Sequence, residues 1–452
     1  MSTHFSSPSY GEILRFVIPL VLGLLTTAFH TLIDTLFIGQ LGTAQLAAVP
    51  LAAIVYVTGW TLFVGILHSS IVFVGRAFGA HQYHKIGMIL AHYQLIAWLG
   101  LPLLGLFVQI WPLFSAMANL NIAVDSYAWV YLQIRVWDAP FSLLMILYSS
   151  FYQVLGNSRF PMLVAVGTLF ANVVLDYGLI FGKLGMPALG VAGSAYATVL
   201  AQAFGSLIIV ITSFVSSIRT QFHLRIFTTL DFILLKQILR FGLPQGMGYL
   251  IEELAWIGLY LIIGRLGEVA LAANNIGMQV AHLLFLPGIA IGKATASYMS
   301  RFLGSNQPEL AKIATHRTLI LALAYMGLLG IPLWFFGESI ARWFTTDEAI
   351  IYQAGLVFKI MALYQIFEAI NIILCSALNG AGDTFVPTLF LILCAIFIMF
   401  PTAGLLSRWL EPGLVGAWLG VFTYLFIFAV LIIYRYQSGK WKVIFNNSFL
   451  VP

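Results

Sequence analysis

Long apolar runs, separated by glycine, proline and clusters of charge, follow one another along the whole chain. A helix that crosses a membrane needs about 20 mostly apolar residues, and runs of this kind recur through both halves of the sequence. The pattern therefore predicts an all-α membrane protein with twelve transmembrane helices. We predict them near residues 13–37, 46–74, 87–111, 127–154, 161–181, 189–217, 238–263, 271–299, 315–336, 352–378, 385–406 and 413–435.

The second half of the chain repeats the first. At an offset of 225 positions the segment ILRF recurs, Pro19 falls on Pro244, and FIGQLGTAQLAA falls on IIGRLGEVALAA. An even number of helices in each half keeps both halves in the same orientation, so we expect two parallel-repeat six-helix lobes. Transporters with such repeats bind substrate between the lobes and expose it to each side in turn. We predict an N-lobe over 1–217, a cytoplasmic linker over 218–237, a C-lobe over 238–436 and a cytoplasmic tail over 437–452.

Charge is scarce and unevenly placed. Charged residues make up 8% of the chain and hydrophobic residues 61%, which excludes a soluble protein of this length. Fourteen Lys and Arg residues fall in loops on the side of the N-terminus, against four on the other side. This bias predicts that both termini are cytoplasmic, in the inner or plasma membrane. It also explains the net charge of +5 without a nucleic-acid partner.

The motifs of ATP-binding proteins and of hydrolases are absent from the sequence. It contains no phosphate-binding Walker A loop, no HExxH and no GxSxG. The two cysteines, Cys375 and Cys394, lie inside apolar runs and are interpreted as packing residues. We therefore expect no enzymatic activity, no cofactor, and no metal other than a coupling Na⁺.

Acidic residues inside the predicted helices are candidates for function, because a carboxylate in the bilayer is costly. Asp34 lies on the first helix, beyond Pro19, where the missing backbone N–H permits a bend. Asn172 and Asp176 are four residues apart on the fifth helix and so share a face. Together these three polar side chains suit a proton or a small cation; hydrogen bonds that join helices are the alternative. His30, one turn before Asp34, is either a proton partner or a buried histidine with satisfied hydrogen bonds.

The remaining buried acids are interpreted differently. Asp138 follows Arg135 by three residues, a spacing that predicts a self-satisfied ion pair. Glu252 and Glu253 are adjacent on the seventh helix, so at most one of them faces a shared cavity squarely. Glu368 lies within the tenth helix, and spacing favours a functional role for it.

Four segments together resemble the multidrug and toxic compound extrusion (MATE) transporters over essentially the whole chain. They are DTLFIGQLGTAQLAA, its repeat GRLGEVALAANNIGMQ, the pair LGNSRFP and NGAGDTFVP, and GLPQGMGYLIEE. The resemblance implies a V-shaped bundle of two six-helix lobes. It also implies a monomer that exports organic compounds, driven by inward movement of H⁺ or Na⁺.

The resemblance also implies roles for individual residues. Asp34 matches the first-helix acid of the family's N-lobe cation site, and Asn172 and Asp176, in NVVLD, match its fifth-helix motif. Thr198, in AYATVLAQ, matches the threonine of that site. Pro19 matches the proline at which the first helix of the family bends.

A second group of residues resembles another branch. Glu252 and Glu368 match the acids of the branch that uses a C-lobe site, although that branch has Asp at the second position. The stretches NVVLD and IRVWDAP look closest to the DNA-damage-inducible (DinF-type) branch. Both H⁺ and Na⁺ therefore stay open as the coupling ion.

These features predict a secondary antiporter that exports small organic compounds, cationic or amphipathic and drug-like, in exchange for H⁺ or Na⁺. The alternative is a lipid-linked oligosaccharide flippase of the same superfamily. Such flippases have a cationic central cavity for an anionic headgroup, whereas the acids here favour a cationic substrate. A membrane-embedded enzyme would need a His/Asp or metal constellation near one interface, and the sequence offers none.

Overall fold

The computed structural model describes residues 6–215, 217–225, 230–442 and 444. Within these residues, twelve helices are long and apolar enough to cross a membrane, and no strand is present. The twelve predicted helices are confirmed. They are α1 (Tyr10–Gly39), α2 (Thr43–Gly79), α3 (Tyr83–Met117), α4 (Ile122–Val154), α5 (Arg159–Phe181), α6 (Val191–Val215), α7 (Phe232–Gly264), α8 (Glu268–Gly304), α9 (Pro308–Ala341), α10 (Glu348–Ala381), α11 (Phe385–Trp409) and α12 (Gly413–Gln437).

Most helices extend beyond their predicted ends. Hydropathy marks only the apolar part of a helix, whereas backbone hydrogen bonds continue into polar turns such as the one that contains Arg76. The start of α6 is the exception, because it lies two residues after the predicted position 189. There Gly190 has a φ of +57°, and the N–H of Leu189 donates to the carbonyl of Leu179 at 2.8 Å. The loop therefore folds back on α5 before α6 begins.

Large apolar side chains cover the outside of the helices. Phe170, Leu261 and Phe335 are exposed, although water would be a poor environment for them. A helix satisfies its own backbone hydrogen bonds, so such a surface is suited to the hydrocarbon of a bilayer.

Several helices are locally irregular. The most relevant irregularity lies in α4, where residues Val136–Asp138 form a 3₁₀ turn directly before Pro140. A proline supplies no backbone N–H, so the regular hydrogen-bond ladder is interrupted at this point. The turn changes the direction of the side chains in the middle of the helix.

The chain folds into two units of dense internal contacts. One unit contains Pro19–Gly246, and the other combines the residues before Pro19 with those from Met247 onward. Helix α1 thus passes from one unit into the other between Ile18 and Pro19, and α7 does so between Gly246 and Met247. The predicted lobe limits follow the sequence repeat, whereas these units follow packing.

The described part of the predicted linker belongs to the unit Pro19–Gly246 and packs against other helices of that unit. A short helix, Ser217–Phe222, ends in a buried phenylalanine ring that contacts Phe78 and Tyr83. The N–H of Asp231 donates to His92 Nε2 at 3.0 Å, just before α7 begins. Residues 1–5 and 216 of the predicted N-lobe, 226–229 of the linker, and 443 and 445–452 of the tail lie outside the described residues.

A buried aromatic pair marks the interior of the second unit. Trp418 on α12 and Tyr364 on α10 stack with ring centroids 6.2 Å apart, and both are almost completely buried. The indole N–H of Trp418 donates to Asn274 Oδ1 on α8 at 3.2 Å. The contact therefore joins three helices of this unit and supports the positions of α8 and α10.

Candidate functional site: buried carboxyl groups in each unit

The first acid of the unit Pro19–Gly246 is Asp34, on the C-terminal half of α1. Its side chain is 16% exposed, and Oδ2 lies 3.2 Å from Nε2 of His30, one turn earlier on the same helix. The spacing of four residues places both groups on one face, as the sequence predicted. Oδ1 of Asp34 is buried and has no hydrogen-bond partner within the described part of the chain.

The second acid, Asp176, lies on α5 and is completely buried. Asn172, one turn earlier, is 1% exposed, and the side chains of both Asp34 and Asn172 lie against the Asp176 carboxyl group. Within the described residues, no group outside these three residues pairs with the Asp176 oxygens or with the Asn172 amide. Buried polar groups are normally paired, so these atoms form a site with unused capacity to bind a ligand.

The arrangement of two carboxyl groups that face each other has a direct chemical consequence. Two carboxylates only accept hydrogen bonds, and they repel each other when both are ionised. A proton shared between Asp34 and Asp176, or a small cation between their oxygens, removes the repulsion and supplies the missing partner. The pair is thus suited to hold one positive charge.

Tight packing between α5 and α6 holds Asp176 in position. A Cβ atom added at Gly193 would lie 2.4 Å from the backbone oxygen of Leu179, and one at Gly205 would lie 2.1 Å from Thr168 Oγ1. Only glycine permits such close approaches; at Gly193 the two helices meet backbone to backbone, and at Gly205 a side chain of α5 meets the backbone of α6. Thr198 lies buried on α6, and its hydroxyl donates to the carbonyl of Ser194 at 3.0 Å. Because the hydroxyl proton of Thr198 is used in this bond, Thr198 can bind a cation only through the lone pairs of its oxygen.

The predicted ion pair of Asp138 with Arg135 is confirmed, with Arg135 Nη1 2.7 Å from Asp138 Oδ2. Asp34 interacts electrostatically with both Arg135 and Tyr131, a relation that sequence reasoning missed. Tyr131 is one turn before Arg135, on the same face of α4. The hydroxyl of Tyr56 on α2 donates to Asp138 Oδ2 at 3.0 Å.

The other unit contains a second group of acids. Glu252 is exposed at the surface of α7, whereas Glu253 and Glu368 are half-buried. Glu252 interacts electrostatically with Glu368 on α10, and Glu253 interacts with His282 on α8. The two adjacent glutamates therefore meet different partners, as expected for neighbouring positions on a helix. The structure brings together Glu252 and Glu368 of the predicted residues.

The fit of a metal ion to either group can be tested on the residues present. The described residues contain no cluster of three or more His, Cys, Asp or Glu side chains that would hold a metal ion. A Na⁺ ion at Asp34 and Asp176 would therefore need further oxygens, from the Asn172 amide, hydroxyl groups, backbone carbonyls or water. A proton needs only one carboxyl oxygen.

Comparison with known proteins places this arrangement in context. The family model MatE matches residues 19–178 and 244–404. The chain is 28% identical to the probable multidrug resistance protein NorM of Thermotoga maritima, over 95% of this chain and 93% of that protein. It is 25% identical to the probable multidrug resistance protein YoeA of Bacillus subtilis, over 97% and 95% of the respective chains.

Two solved structures share the fold. The MATE transporter VcmN of Vibrio cholerae in its bent form matches with a TM-score of 0.85 and 19% identity, over 97% of this chain and 98% of that chain. A MOP superfamily transporter of Pyrococcus furiosus also matches with a TM-score of 0.85, at 21% identity and over 97% of both chains. At these identities the similarity establishes the fold.

Proposed function

Because the chain belongs to the MatE family of multi-pass membrane transporters, and is therefore a transporter and not an enzyme, we propose that it is a secondary active antiporter for organic compounds. It exports cationic or amphipathic, drug-like molecules in exchange for H⁺ or Na⁺ by alternating access. The relatives NorM and YoeA, which are described as probable multidrug resistance proteins, support this substrate class.

The observation that carries the proposal is the pairing of Asp34 with Asp176 beside Asn172. The unpaired atoms of these three residues lie inside one unit, where a bound cation replaces a strong repulsion with an attraction. Thr198 adds a hydroxyl oxygen to the same site. Antiport needs only such a site and an ion gradient, so the proposal includes no other cofactor.

The first helix links cation binding to movement. Pro19 deprives α1 of one backbone hydrogen bond, and the hydroxyls of Thr26, Thr31 and Thr35 bond back to carbonyls of the same helix. Both features weaken the regular helix. The boundary between the packing units also falls at Pro19. We take this residue as the hinge, at which α1 repacks when Asp34 gains or loses its cation.

A cation can drive this change only if it binds the two states with different affinity. The distance between Asp34 and Asp176 depends on the position of α1. Repacking of α1 therefore changes the affinity of these two residues for the cation. Occupancy of the site thereby selects one arrangement of α1, and substrate is released in the course of the change.

The acids of the other unit offer a second candidate site for the coupling ion. Glu252 and Glu368 interact with each other, and Tyr424 lies close to both. Their position supports attraction of a cationic substrate or a second ion. In the proposed mechanism, the driving cation binds at Asp34 and Asp176. Glu252 and Glu368 form an additional cation-attracting group in the other unit.

The alternative function is that of a lipid-linked oligosaccharide flippase. For the Pyrococcus furiosus transporter, the reverse polarity of the binding pocket is described as suggesting a different function, so pocket charge is the relevant criterion within this fold. Here, acids dominate both groups of candidate residues, which favours a cationic substrate over an anionic headgroup.

The proposal also covers the cellular setting. We place the protein in the inner or plasma membrane with both termini cytoplasmic, because basic residues are concentrated in the loops on that side. It acts as a monomer on small organic substrates within the bilayer, without a nucleic-acid partner.

The test is dye transport by the purified protein in proteoliposomes, under an imposed pH gradient or an imposed Na⁺ gradient. A lipophilic cationic dye is expected to move against the direction of the driving ion, and only one of the two gradients should drive it fully. Protein-free liposomes and vesicles whose gradient is collapsed by an ionophore are the controls. Movement of a fluorescent anionic lipid analogue, with no response of the cationic dye to either gradient, would favour the flippase.

A further inference from the structure

A cavity of about 340 Å³ lies where the end of α12 and the residues after it meet the first turns of α9. All of its lining residues belong to the unit that includes the chain from Met247 onward. The lining combines two lysines with two aromatic rings and the turn that follows α12. Its residues are Lys312, Tyr436, Gln437, Gly439, Trp441 and Lys442.

A sharp turn after α12 brings the chain back over the end of this helix. Gly439 has a φ of +66°, a left-handed conformation that glycine adopts without steric cost. After the turn, the indole N–H of Trp441 donates to the carbonyl of Tyr436 at 2.9 Å, and the two rings stack with centroids 5.7 Å apart. Trp441 is only 1% exposed, so it anchors the segment in which Lys442 follows directly.

The two lysines of the cavity share a single carboxylate. Nζ of Lys312 and Nζ of Lys442 lie 3.3 Å and 3.2 Å from the same oxygen, Oε1 of Glu309. One negative charge thus holds two ammonium groups close together, and the three side chains keep a net charge of +1. Because both lysines line the cavity, its wall carries the excess positive charge.

The cavity lies at the depth of the lipid headgroups on the predicted cytoplasmic side. Helix α12 ends at Gln437 and α9 begins at Pro308, so the membrane-spanning parts of both helices stop at this level. Tyr434, one turn before the end of α12, is 70% exposed, as is typical of aromatic residues at a membrane–water interface. Lysine side chains near helix ends extend towards the same layer.

We propose that this cavity binds the phosphate headgroup of an anionic phospholipid from the adjacent leaflet. The ammonium groups of Lys312 and Lys442 donate hydrogen bonds to the phosphate oxygens. A phosphodiester carries one negative charge, which matches the net charge of the two lysines and Glu309. A choline headgroup adds a positive charge that the lysines repel, so the cavity selects phosphatidylglycerol over phosphatidylcholine. This site is separate from the proposed cation site and does not depend on the proposed function.

A purely structural role of the same ion pairs makes a different prediction. If the lysines only hold the end of the chain on α9 through Glu309, removing the charges of either partner weakens the same contact. If they bind a headgroup, the two changes act in opposite directions. Lys312→Gln/Lys442→Gln then lowers the affinity for phosphatidylglycerol, and Glu309→Gln raises it. The sign of the second effect distinguishes the two roles.

The experiment is native mass spectrometry of the purified protein in detergent, which measures the fraction that carries phosphatidylglycerol as this lipid is added. Phosphatidylcholine with the same acyl chains is the reference. We expect the double lysine variant to need about 25-fold more phosphatidylglycerol for half-saturation, from about fivefold for each lysine near a membrane surface. Glu309→Gln should need less of this lipid than the unchanged protein.

The matched control is Lys236→Gln/Lys440→Gln. Both lysines are exposed, lie on the same predicted side of the membrane and are not part of the cavity lining. The control removes as much positive charge as the double lysine variant, so it should bind phosphatidylglycerol like the unchanged protein. Melting temperatures in phosphatidylcholine verify folding. Glu309 is 71% exposed, so its replacement keeps the test valid if the double lysine variant is unstable.

Four outcomes would overturn the inference. The first is equal binding of the two lipids by the unchanged protein. The second is an equal loss of phosphatidylglycerol binding in the control and in the double lysine variant, because diffuse surface charge would then explain the preference. The third is weaker binding by Glu309→Gln. The fourth is displacement of the lipid by an equal concentration of water-soluble glycerol 3-phosphate, since the cavity would then take a soluble phosphate. None of these outcomes affects the proposed antiport.

Discussion

Buried acids in this protein differ in the partners that surround them. Asp383 forms an ion pair of 2.6 Å with Arg435, and Asp138 forms one with Arg135. Asp176 is as deeply buried, yet its oxygens face another carboxyl group and an amide without a hydrogen bond among the described residues. Acids that face a guanidinium group stabilise the fold, and the acid that faces another carboxyl group is the candidate for cation binding.

The amide of Asn172 is expected to contribute to cation affinity. Replacement by alanine removes an oxygen from the Asp176 side of the site, so the cation concentration for half-maximal efflux should rise about tenfold, equivalent to about 1.4 kcal/mol. Cation titration of dye efflux measures the change. Asn274→Ala is the matched control, because Asn274 is equally buried but its Oδ1 already accepts the indole N–H of Trp418 at 3.2 Å. Equal effects of both replacements would argue against a specific role of Asn172.

Residue spacing predicted part of this site. The four-residue intervals His30–Asp34 and Asn172–Asp176 predicted that each pair shares a helix face. In the structure, the two side chains of each pair are in contact. The electrostatic interaction of Arg135 with Asp34 could not be predicted, because it depends on how helices far apart in the sequence are arranged. Helical periodicity gives the face of a residue on its own helix but not the helix that this face meets.

At the scale of single elements, α1 differs from a uniform apolar helix. The part of α1 that belongs to the unit Pro19–Gly246 begins at a proline, Pro19. In this part, three threonine hydroxyls donate to backbone carbonyls of the same helix. Apolar content alone would specify a straight helix of the same length. These residues lower the cost of a bend in α1.

Restoring the missing backbone bond should slow transport. Pro19→Ala gives α1 a complete hydrogen-bond ladder, so the main effect we expect is a lower maximal efflux rate. The control is Pro50→Ala, a proline within α2. Rate and cation dependence are measured in the same proteoliposome assay. An unchanged rate for Pro19→Ala would show that α1 does not bend at this residue.

The contact of α5 with α6 provides a test of stability. Gly193→Ala places a Cβ atom 2.4 Å from the carbonyl oxygen of Leu179, a clash with backbone that cannot move aside cheaply. We expect a loss of about 1–3 kcal/mol, seen as a lower melting temperature of the purified protein. Gly167→Ala on α5 is the matched control, since nothing lies within 4 Å of its added Cβ. Equal melting temperatures for the two variants would contradict the packing described.

At the scale of the whole molecule, hydropathy and the repeat predicted the number and order of the helices correctly. They did so because each membrane helix must satisfy its own backbone and expose apolar side chains, which is a local property of the sequence. The transfer of α1 and α7 from one packing unit to the other was not predicted. That transfer depends on contacts between distant segments, for which hydropathy carries no signal.

The predicted orientation can be tested by cysteine labelling. Lys440 and Lys183 lie on opposite sides of the predicted membrane, outside the apolar runs. A membrane-impermeant thiol reagent should label Lys183→Cys in intact cells and Lys440→Cys only after permeabilisation. The unchanged chain is the control, since Cys394 is buried and Cys375 is half-buried. Labelling of Lys440→Cys in intact cells would reverse the assigned orientation.

The central claim is that Asp34 and Asp176 bind the cation that drives export. Its most direct test compares Asp34→Asn, Asp176→Asn and Glu368→Gln in proteoliposomes under the gradient that drives the unchanged protein. We predict that both aspartate replacements abolish cation-driven dye efflux, while Glu368→Gln retains most of it. Undiminished coupled efflux by Asp34→Asn would contradict the claim, as would loss of coupling in Glu368→Gln alone.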